Sequence, residues 1–243
     1  TITDPASLSD ANAINLMTEG KVTLNSVADT YANIQEVKKI SDAQVDMGAA
    51  AVRVTNNITK SEVDDLLTDT NGKITVDFIT EDKSDLSTIN DNTNVILSTA
   101  NITVEDNVSR AEADVIDGYN TAGGTVTLTS ITDTVSDVTA VNSNTNISLA
   151  NAAITITDPA SLSDANAINL MTGGQVTLNK VQDNYDNLIA IDKLTTSEVS
   201  MANAAVTVTG SIDKAKVDDL RLTTEGNVTC LLYTSDAADE RHC

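Results

Sequence analysis

The sequence is poor in aromatic residues, and this limits the kind of core that it can form. Tryptophan is absent, and only one phenylalanine and four tyrosines occur among 243 residues. The hydrophobic fraction is nevertheless 40%, so a core has to be built from Val, Ile, Leu and Ala. Small, largely β-branched side chains suit stacked repeat layers better than an irregular globular centre.

Histidine and cysteine are missing from almost the whole chain. The single histidine, His242, and both cysteines, Cys230 and Cys243, lie in the last fourteen residues. Before Cys230 there is therefore no histidine to activate a serine or threonine nucleophile, and no GxSxG motif occurs. Paired carboxylates, as in glycosidases, arise by chance in so acidic a chain. We predict that the protein is not an enzyme.

Basic residues are also scarce. Fourteen Lys and Arg stand against 36 Asp and Glu, which gives a formal net charge of −22. Nucleic acids and anionic membrane surfaces need clusters of Lys and Arg, so both are unsuitable partners. No apolar run approaches the roughly 18–20 residues of a membrane span, which argues against membrane insertion.

What the sequence does contain is an internal repeat. Residues Thr1–Thr18 and Thr155–Thr172 are identical at all eighteen positions, and the offset of 154 residues corresponds to three units of 52, 50 and 52. About four and a half units follow one another, and the only two prolines, Pro5 and Pro159, are equivalent. We place the units approximately at 1–50, 51–100, 101–152, 153–204 and, in part, 205–229.

Three columns of short triplets recur, and their alternation of apolar and polar residues is typical of half-buried strands. The first column comprises Thr1–Thr3, Val52–Val54, Ile102–Val104, Ile154–Ile156 and Val206–Val208. The second comprises Val22–Leu24, Ile74–Val76, Val126–Leu128, Val176–Leu178 and Val228–Thr229. The third comprises Val45–Met47, Val95–Leu97, Ile147–Leu149 and Val199–Met201, and Ile96 breaks its alternation.

Helices are predicted between the triplets. The N-cap column of the first helix is Ser7, Thr59, Ser109, Ser161 and Asp213, and Thr59–Glu62 and Ser109–Glu112 have the spacing of capping boxes. The second helix has an acid near its start and an apolar stripe such as Ile34 and Val37. Gly20, Gly72, Gly124 and Gly174 end the first helix or turn the chain.

Each unit therefore reads strand, helix, strand, helix, strand. Connections of about 20 residues are long enough for parallel strands, which need a dozen or more. We predict an α/β solenoid of 50–52-residue repeats, each with short parallel strands and two short helices, as one array over residues 1–229. A string of small β-rich domains is the alternative.

Calcium is the cofactor that the acidic residues could bind. Four pairs recur at a spacing of four residues near the second helix, namely Asp29/Asn33, Glu81/Asp85, Asp133/Asp137 and Asp183/Asn187. Calcium takes carboxylate and amide oxygens, but the known nonapeptide and EF-hand patterns are absent. Helix capping explains the same acids, and we expect no cofactor. Threonine columns, interrupted by Arg53, reflect β-propensity more than ice binding.

The last fourteen residues differ in style. From Cys230 to Glu240 they resemble the translation of a transposase adapter used in short-read DNA library preparation, which implies that 230–243 is a non-native tail. Without it the chain has 13 bases and 33 acids, a net charge of −20. Because the chain opens in the middle of the repeat pattern at Thr1, we expect an internal fragment, of metagenomic origin.

The repeat style, seen in ITITDPASLSDANAINLMTGGQVTLN, resembles the Ala/Thr/Asp-rich arrays of giant bacterial surface and secreted proteins of the adhesin or RTX-associated kind. That resemblance covers residues 1–229 and implies an extracellular or cell-surface location and a spacer or adhesive-stalk role. Its partners would be neighbouring repeats of the same parent chain, with a cell-surface glycan or protein as a further candidate. The alternative function is a ligand-binding repeat module for calcium, a glycan or a protein.

Overall fold

The fold is α/β, with parallel strands that alternate with short helices. The computed structural model describes residues 1–41, 44–194 and 198–233. Its helices are α1 (Leu8–Leu16), α2 (Tyr31–Ser41), α3 (Lys60–Asp69), α4 (Lys83–Asn90), α5 (Arg110–Asp117), α6 (Val135–Asn142), α7 (Leu162–Asn169), α8 (Tyr185–Asp192) and α9 (Lys214–Leu220). No helix in these described ranges is both long and apolar enough to cross a membrane.

Seven of the described strands have eight residues, and the others are shorter. The eight-residue strands are β4 (Ala51–Ile58), β5 (Ile74–Glu81), β7 (Asn101–Val108), β8 (Val126–Asp133), β10 (Ala153–Ala160), β11 (Val176–Asp183) and β13 (Ala205–Ile212). The shorter strands are β1 (Val22–Thr23), β2 (Ser26–Asp29), β3 (Val45–Asp46), β6 (Val95–Ile96), β9 (Ile147–Ser148), β12 (Val199–Ser200) and β14 (Val228–Tyr233). Below, a strand together with the helix that follows it is called a strand–helix segment.

The chain divides into two compact units, one of residues 1–106 with 114–127 and one of residues 107–113 with 128–243. In the first unit β2, β4, β5 and β7 are neighbours in that order, β6 lies beside β5, and β1 pairs with β3. In the second unit the order is β8, β10, β11, β13 and β14, with β9 beside β8 and β12 beside β11. The recorded pairings of both units are parallel, as the length of the connections predicts.

From the second predicted unit onward, the first two triplets of each unit are only the beginnings of longer strands. In the first unit, Ile2 forms an isolated bridge with Leu24, and Val22–Thr23 is the two-residue strand β1. Val52, Val54 and Ile58 of β4 are buried, and the pairing of β4 with β5 shifts register between Val54 and Asn57. This irregularity keeps Ile58 on the inner face after three exposed residues. The buried face of β4 therefore extends to Ile58, four residues beyond the end of the predicted triplet.

The third triplet forms a much smaller element than the first two. Val95 and Ile96 pair with the first half of β5, whereas β7 pairs with the second half of β5, at Phe78–Glu81. A turn follows at once, since the amide of Ala100 donates to the carbonyl oxygen of Leu97 at 2.9 Å. The short strand therefore fills the part of the sheet edge that the next long strand leaves uncovered.

Glycine is required where neighbouring connections approach each other. A Cβ atom on Gly72 would lie 2.1 Å from the carbonyl oxygen of Ala50, and one on Gly174 would lie 2.4 Å from that of Ala152. Thr172, two residues before Gly174, fixes this approach, because its hydroxyl donates to Ala152 and accepts from the amide of Gly174. Gly72 and Gly174 thus mark a close backbone contact between neighbouring connections.

The strand β14 runs beyond the point where the repeat pattern stops in the sequence. Its pairing with β13 continues from Val206 opposite Val228 to Ile212 opposite Tyr233. Strand pairing uses main-chain groups and tolerates such a change of side chains. The rest of the predicted tail, residues 234–243, lies outside the described residues.

Candidate functional site: carboxylates at the strand ends

The acids proposed as calcium candidates lie where strands end and helices begin. Asp29, Glu81, Asp133 and Asp183 are the last residues of β2, β5, β8 and β11. The next residue in each case precedes the first helical residue, and Asp82, Thr134 and Asn184 act there as N-caps of α4, α6 and α8. The acids are therefore adjacent to the caps of the following helices.

Each of these acids also reaches back to the preceding strand–helix segment. A carboxylate oxygen accepts the first main-chain N–H of the helix that lies one segment earlier. The pairs are Leu8 with Asp29 at 3.0 Å, Lys60 with Glu81, Arg110 with Asp133 at 2.9 Å, and Leu162 with Asp183 at 3.1 Å. The first N–H groups of a helix have no partner within it, and a negative charge is favourable at that end.

A second column caps the other set of helices in the same direction. The first main-chain N–H of α2 donates to Asn56 at 2.8 Å, that of α4 donates to Asp106 at 2.9 Å, and that of α6 donates to Asp158 at 2.8 Å. In β13 the equivalent position, which would face α8, is Gly210, which has a φ of +98° and no side chain that could cap a helix. Seven strands, β2, β4, β5, β7, β8, β10 and β11, thus each cap the helix that precedes them, and these seven contacts all run from later to earlier in the chain.

The two Asp/Asn pairs form a closed hydrogen-bond set. Asn33 Nδ2 donates to Asp29 Oδ1 at 2.8 Å, and Asn187 Nδ2 donates to Asp183 Oδ1 at 2.9 Å. Partial burial opposes ionisation of both acids, but the hydrogen bonds from main-chain and Asn N–H groups outweigh it, and the pKa of Asp29 and of Asp183 is lowered. The asparagines therefore act as donors to the acids, whereas a metal ligand has to offer oxygen.

The two acid/acid pairs are arranged differently. Asp85 donates its main-chain N–H to the Asp82 carboxylate at 2.8 Å. Asp137 accepts the Thr134 hydroxyl at 2.8 Å and Nη1 of Arg110 at 3.0 Å. The Thr134 hydroxyl and then the Arg110 guanidinium lower the pKa of Asp137. The shared spacing of four residues thus has no common geometry.

Carboxylate oxygens of the calcium candidates are engaged in hydrogen bonds. Within the described ranges, no group of three or more His, Cys, Asp or Glu side chains is placed to hold a metal ion. The carboxylate oxygens of Asp29 and Asp183 instead accept N–H groups. Calcium binding by these eight residues and the expected absence of a cofactor both stay predictions, and helix capping accounts for the positions of Asp29, Glu81, Asp133 and Asp183.

The threonine columns do not form one continuous ladder. Thr155 lies opposite Thr132 on one side and Thr177 on the other, but Thr177 is next to Ser200 of the short strand β12. The register offset between long strands therefore interrupts the row. Regular planar spacing of threonines, which an ice-binding face needs, is not maintained across these strands.

The contacts between segments were not predicted from the sequence. Their signal is a constant separation: the capping acids follow the helix starts by 21 or 23 residues. A second such signal joins Tyr31 to Asp65 and Tyr185 to Asp219, each 34 residues apart, through hydroxyl–carboxylate hydrogen bonds. Desolvation and then the hydrogen bond to Asp65 raise the pKa of Tyr31 to about 12.

The chain was compared with known proteins at three levels. It matches no protein-family model, no curated protein and no solved structure.

Proposed function

We propose that this chain is a non-catalytic structural spacer or stalk segment of a large bacterial surface or secreted repeat protein, built as a solenoid. The observation that carries the proposal is the recurring cap between successive segments. Four acids at the ends of β2, β5, β8 and β11 all bond to the helix one segment earlier. Stability shared between nearest neighbours is the property that lets such arrays be lengthened by duplication.

Burial within the segments supports the same proposal. The inward positions of the long strands and the apolar stripes of the helices are almost fully buried, for example Val52, Ile79, Leu86 and Ile191 at 0–2% exposure. The helix apolar stripe therefore packs on the strands in each segment. Because one segment cannot cover its own apolar face, its neighbours have to do so.

Charge and composition fit a projecting segment. A chain with a net charge of −22 repels itself and stays dispersed at high local concentration. Residues 1–229 contain no histidine or cysteine, so imidazole general bases and thiol nucleophiles are missing from this part of the chain. An extracellular or cell-surface location is part of this proposal, as is the partnership with neighbouring repeats of a parent chain.

A ligand-binding module is the second candidate, and one departure from the repeat favours it. The turn between α5 and β8 is two residues longer than its equivalents, as Gly118–Gly124 replaces five residues such as Thr68–Gly72. Beside it Val115 is 57% exposed. If this turn binds a glycan or a protein, shortening it to the Thr68–Gly72 sequence should abolish binding and leave the fold intact.

The test of the spacer is a lengthened chain. Residues 1–154 are placed ahead of the complete chain, and the junction is native because Thr155–Thr172 repeats Thr1–Thr18. The insert holds about six long strands, and neighbouring strands lie about 4.8 Å apart. A solenoid should therefore gain roughly 29 Å in its maximum dimension by small-angle X-ray scattering, with an unchanged cross-section.

Two results would contradict the proposal. A scattering profile of several flexibly linked bodies would indicate the string of separate domains. A lengthened chain that widens instead of extending would show that the repeats pack into a globule.

A further inference from the structure

The identical segments Thr1–Thr18 and Thr155–Thr172 provide an internal comparison of one sequence in two surroundings. In the second copy, β10 lies between β8 and β11, and α7 packs against both α6 and α8. In the first copy, the strand residues pair towards the next segment, at Ile2 with Leu24 and Ala6 with Val27, and α1 packs against α2. Because the sequences are the same, differences between the copies report on the neighbour.

Burial differs on one face of this segment. Ile156 and Ile168 are 0% exposed, whereas their equivalents Ile2 and Ile14 are partly exposed. Thr1, Thr3 and Asp10 are exposed, whereas Thr155, Thr157 and Asp164 are partly buried. The uncovered face of the first copy, called the N-terminal edge below, is thus defined by Thr1–Asp4, Asp10 and Ile14.

A capping acid at this edge has no helix to cap. Asp158 accepts the first main-chain N–H of α6, from Val135, at 2.8 Å. Its equivalent Asp4 is exposed and has no recorded hydrogen bond within the described part of the chain. The edge therefore combines two partly exposed isoleucines, main-chain groups available for strand pairing, and the Asp4 carboxylate. In the second copy the equivalent carboxylate, Asp158, caps the N-terminus of a helix.

We propose that the N-terminal edge is an interaction surface for one further strand–helix segment of the same repeat. This rests on the proposed solenoid. The occupant resembles β8 and α6, because those elements cover the identical sequence in the second copy. Such a segment provides a strand that can pair with residues 2–6 and an apolar helix face like that formed by Val138 and Val141. The first main-chain N–H of its helix is available to donate to Asp4. The array thereby has a direction, since each added segment caps the one before it.

The test uses the complete chain and the lengthened chain, in which residues 1–154 precede a full copy. Asp4→Ala is made in the first, and the same substitution is made at the second copy of Asp4 in the lengthened chain. Hydrogen exchange measured by mass spectrometry follows the amides of α6 and of residues 2–6. Glu19→Ala, which removes an equal charge from an exposed site, is the control.

In the lengthened chain, Asp4→Ala should speed exchange at the start of the preceding α6 about five- to tenfold, the effect of losing one cap. In the complete chain alone, it should change nothing, and Glu19→Ala should be silent in both. Equal effects of Asp4→Ala in both chains, or in neither, would overturn the proposal. Concentration-dependent dimerisation of the complete chain that Asp4→Ala abolishes would overturn it too, because a second copy would then be the occupant. Scattering of the lengthened chain independently reports whether the solenoid itself is wrong.

Discussion

Removal of the Asp183 carboxylate should destabilise two neighbouring segments at once. Asp183 accepts N–H groups from Leu162 at 3.1 Å, from Asn184 at 2.8 Å and from the Asn187 side chain at 2.9 Å. Loss of a helix cap costs roughly 0.5–2 kcal/mol, and hydrogen bonds to charged groups contribute about 1.5–3 kcal/mol each. Because Asp183 is only partly buried, water replaces some of these bonds, and we expect Asp183→Ala to lower the free energy of unfolding by about 2 kcal/mol.

The control is Asp186→Ala, which removes the same charge from an exposed position in the first turn of α8. Its loss should matter only through the helix dipole, about 0.5 kcal/mol. For a chain of this size, 1 kcal/mol shifts the melting temperature by about 2–4 °C. Circular dichroism should therefore show a decrease of about 4–8 °C for Asp183→Ala and about 1–2 °C for Asp186→Ala. Equal decreases would refute the cap between segments, because charge alone would then account for both.

Three further results are expected. Gly174→Ala should lower the free energy of unfolding in urea by about 3 kcal/mol or more, because the new Cβ would lie 2.4 Å from a carbonyl oxygen. Gly173→Ala is the control and should be tolerated, since the nearest atom there is 3.5 Å away. Equal tolerance of both substitutions would contradict the close approach. Tyr31→Phe should lower the free energy of unfolding by about 1 kcal/mol, because it removes the hydrogen bond to Asp65. Ultraviolet titration of the variant should no longer show a tyrosine with a pKa of about 12. An unchanged titration would contradict the assignment. Because the pKa of Asp29 and of Asp183 is lowered in the folded protein, both acids should add stability that is complete above about pH 4. That stability should be lost as the pH falls through the pKa values of the folded state. A melting temperature that does not change between about pH 5 and pH 2 would contradict this.

Much of the local structure follows from short-range patterns. The hydroxyl and acid at Ser109 and Glu112 predict a capping box, and the main-chain N–H of Ser109 donates to Glu112 at 2.7 Å. Asp213 likewise accepts the amide of Lys216 at 2.9 Å. The buried helix positions Ile34 and Val37 follow from their spacing on one helix face. These features depend on residues within a few positions of each other, which one sequence displays directly.

The contacts across segments could not be read in the same way. An acid such as Glu81 is adjacent to α4 in sequence, so its role is assigned to that helix, yet it also binds the amide of Lys60. The register offset that confines Val95 and Ile96 to a two-residue strand depends on how β5 meets β7. Both depend on the alignment of strands more than 20 residues apart, which periodicity suggests but does not fix.

The central claim is that the acidic columns stabilise helices and that the chain folds without a metal. Far-UV circular dichroism of the complete chain with thermal melting, first in EDTA and then in millimolar calcium, tests it most directly. A cooperative α/β spectrum with the same melting temperature in both solutions is the predicted result. A chain that is disordered in EDTA and folds only when calcium is added would contradict the claim and make Asp29, Glu81, Asp133 and Asp183 candidate ligands.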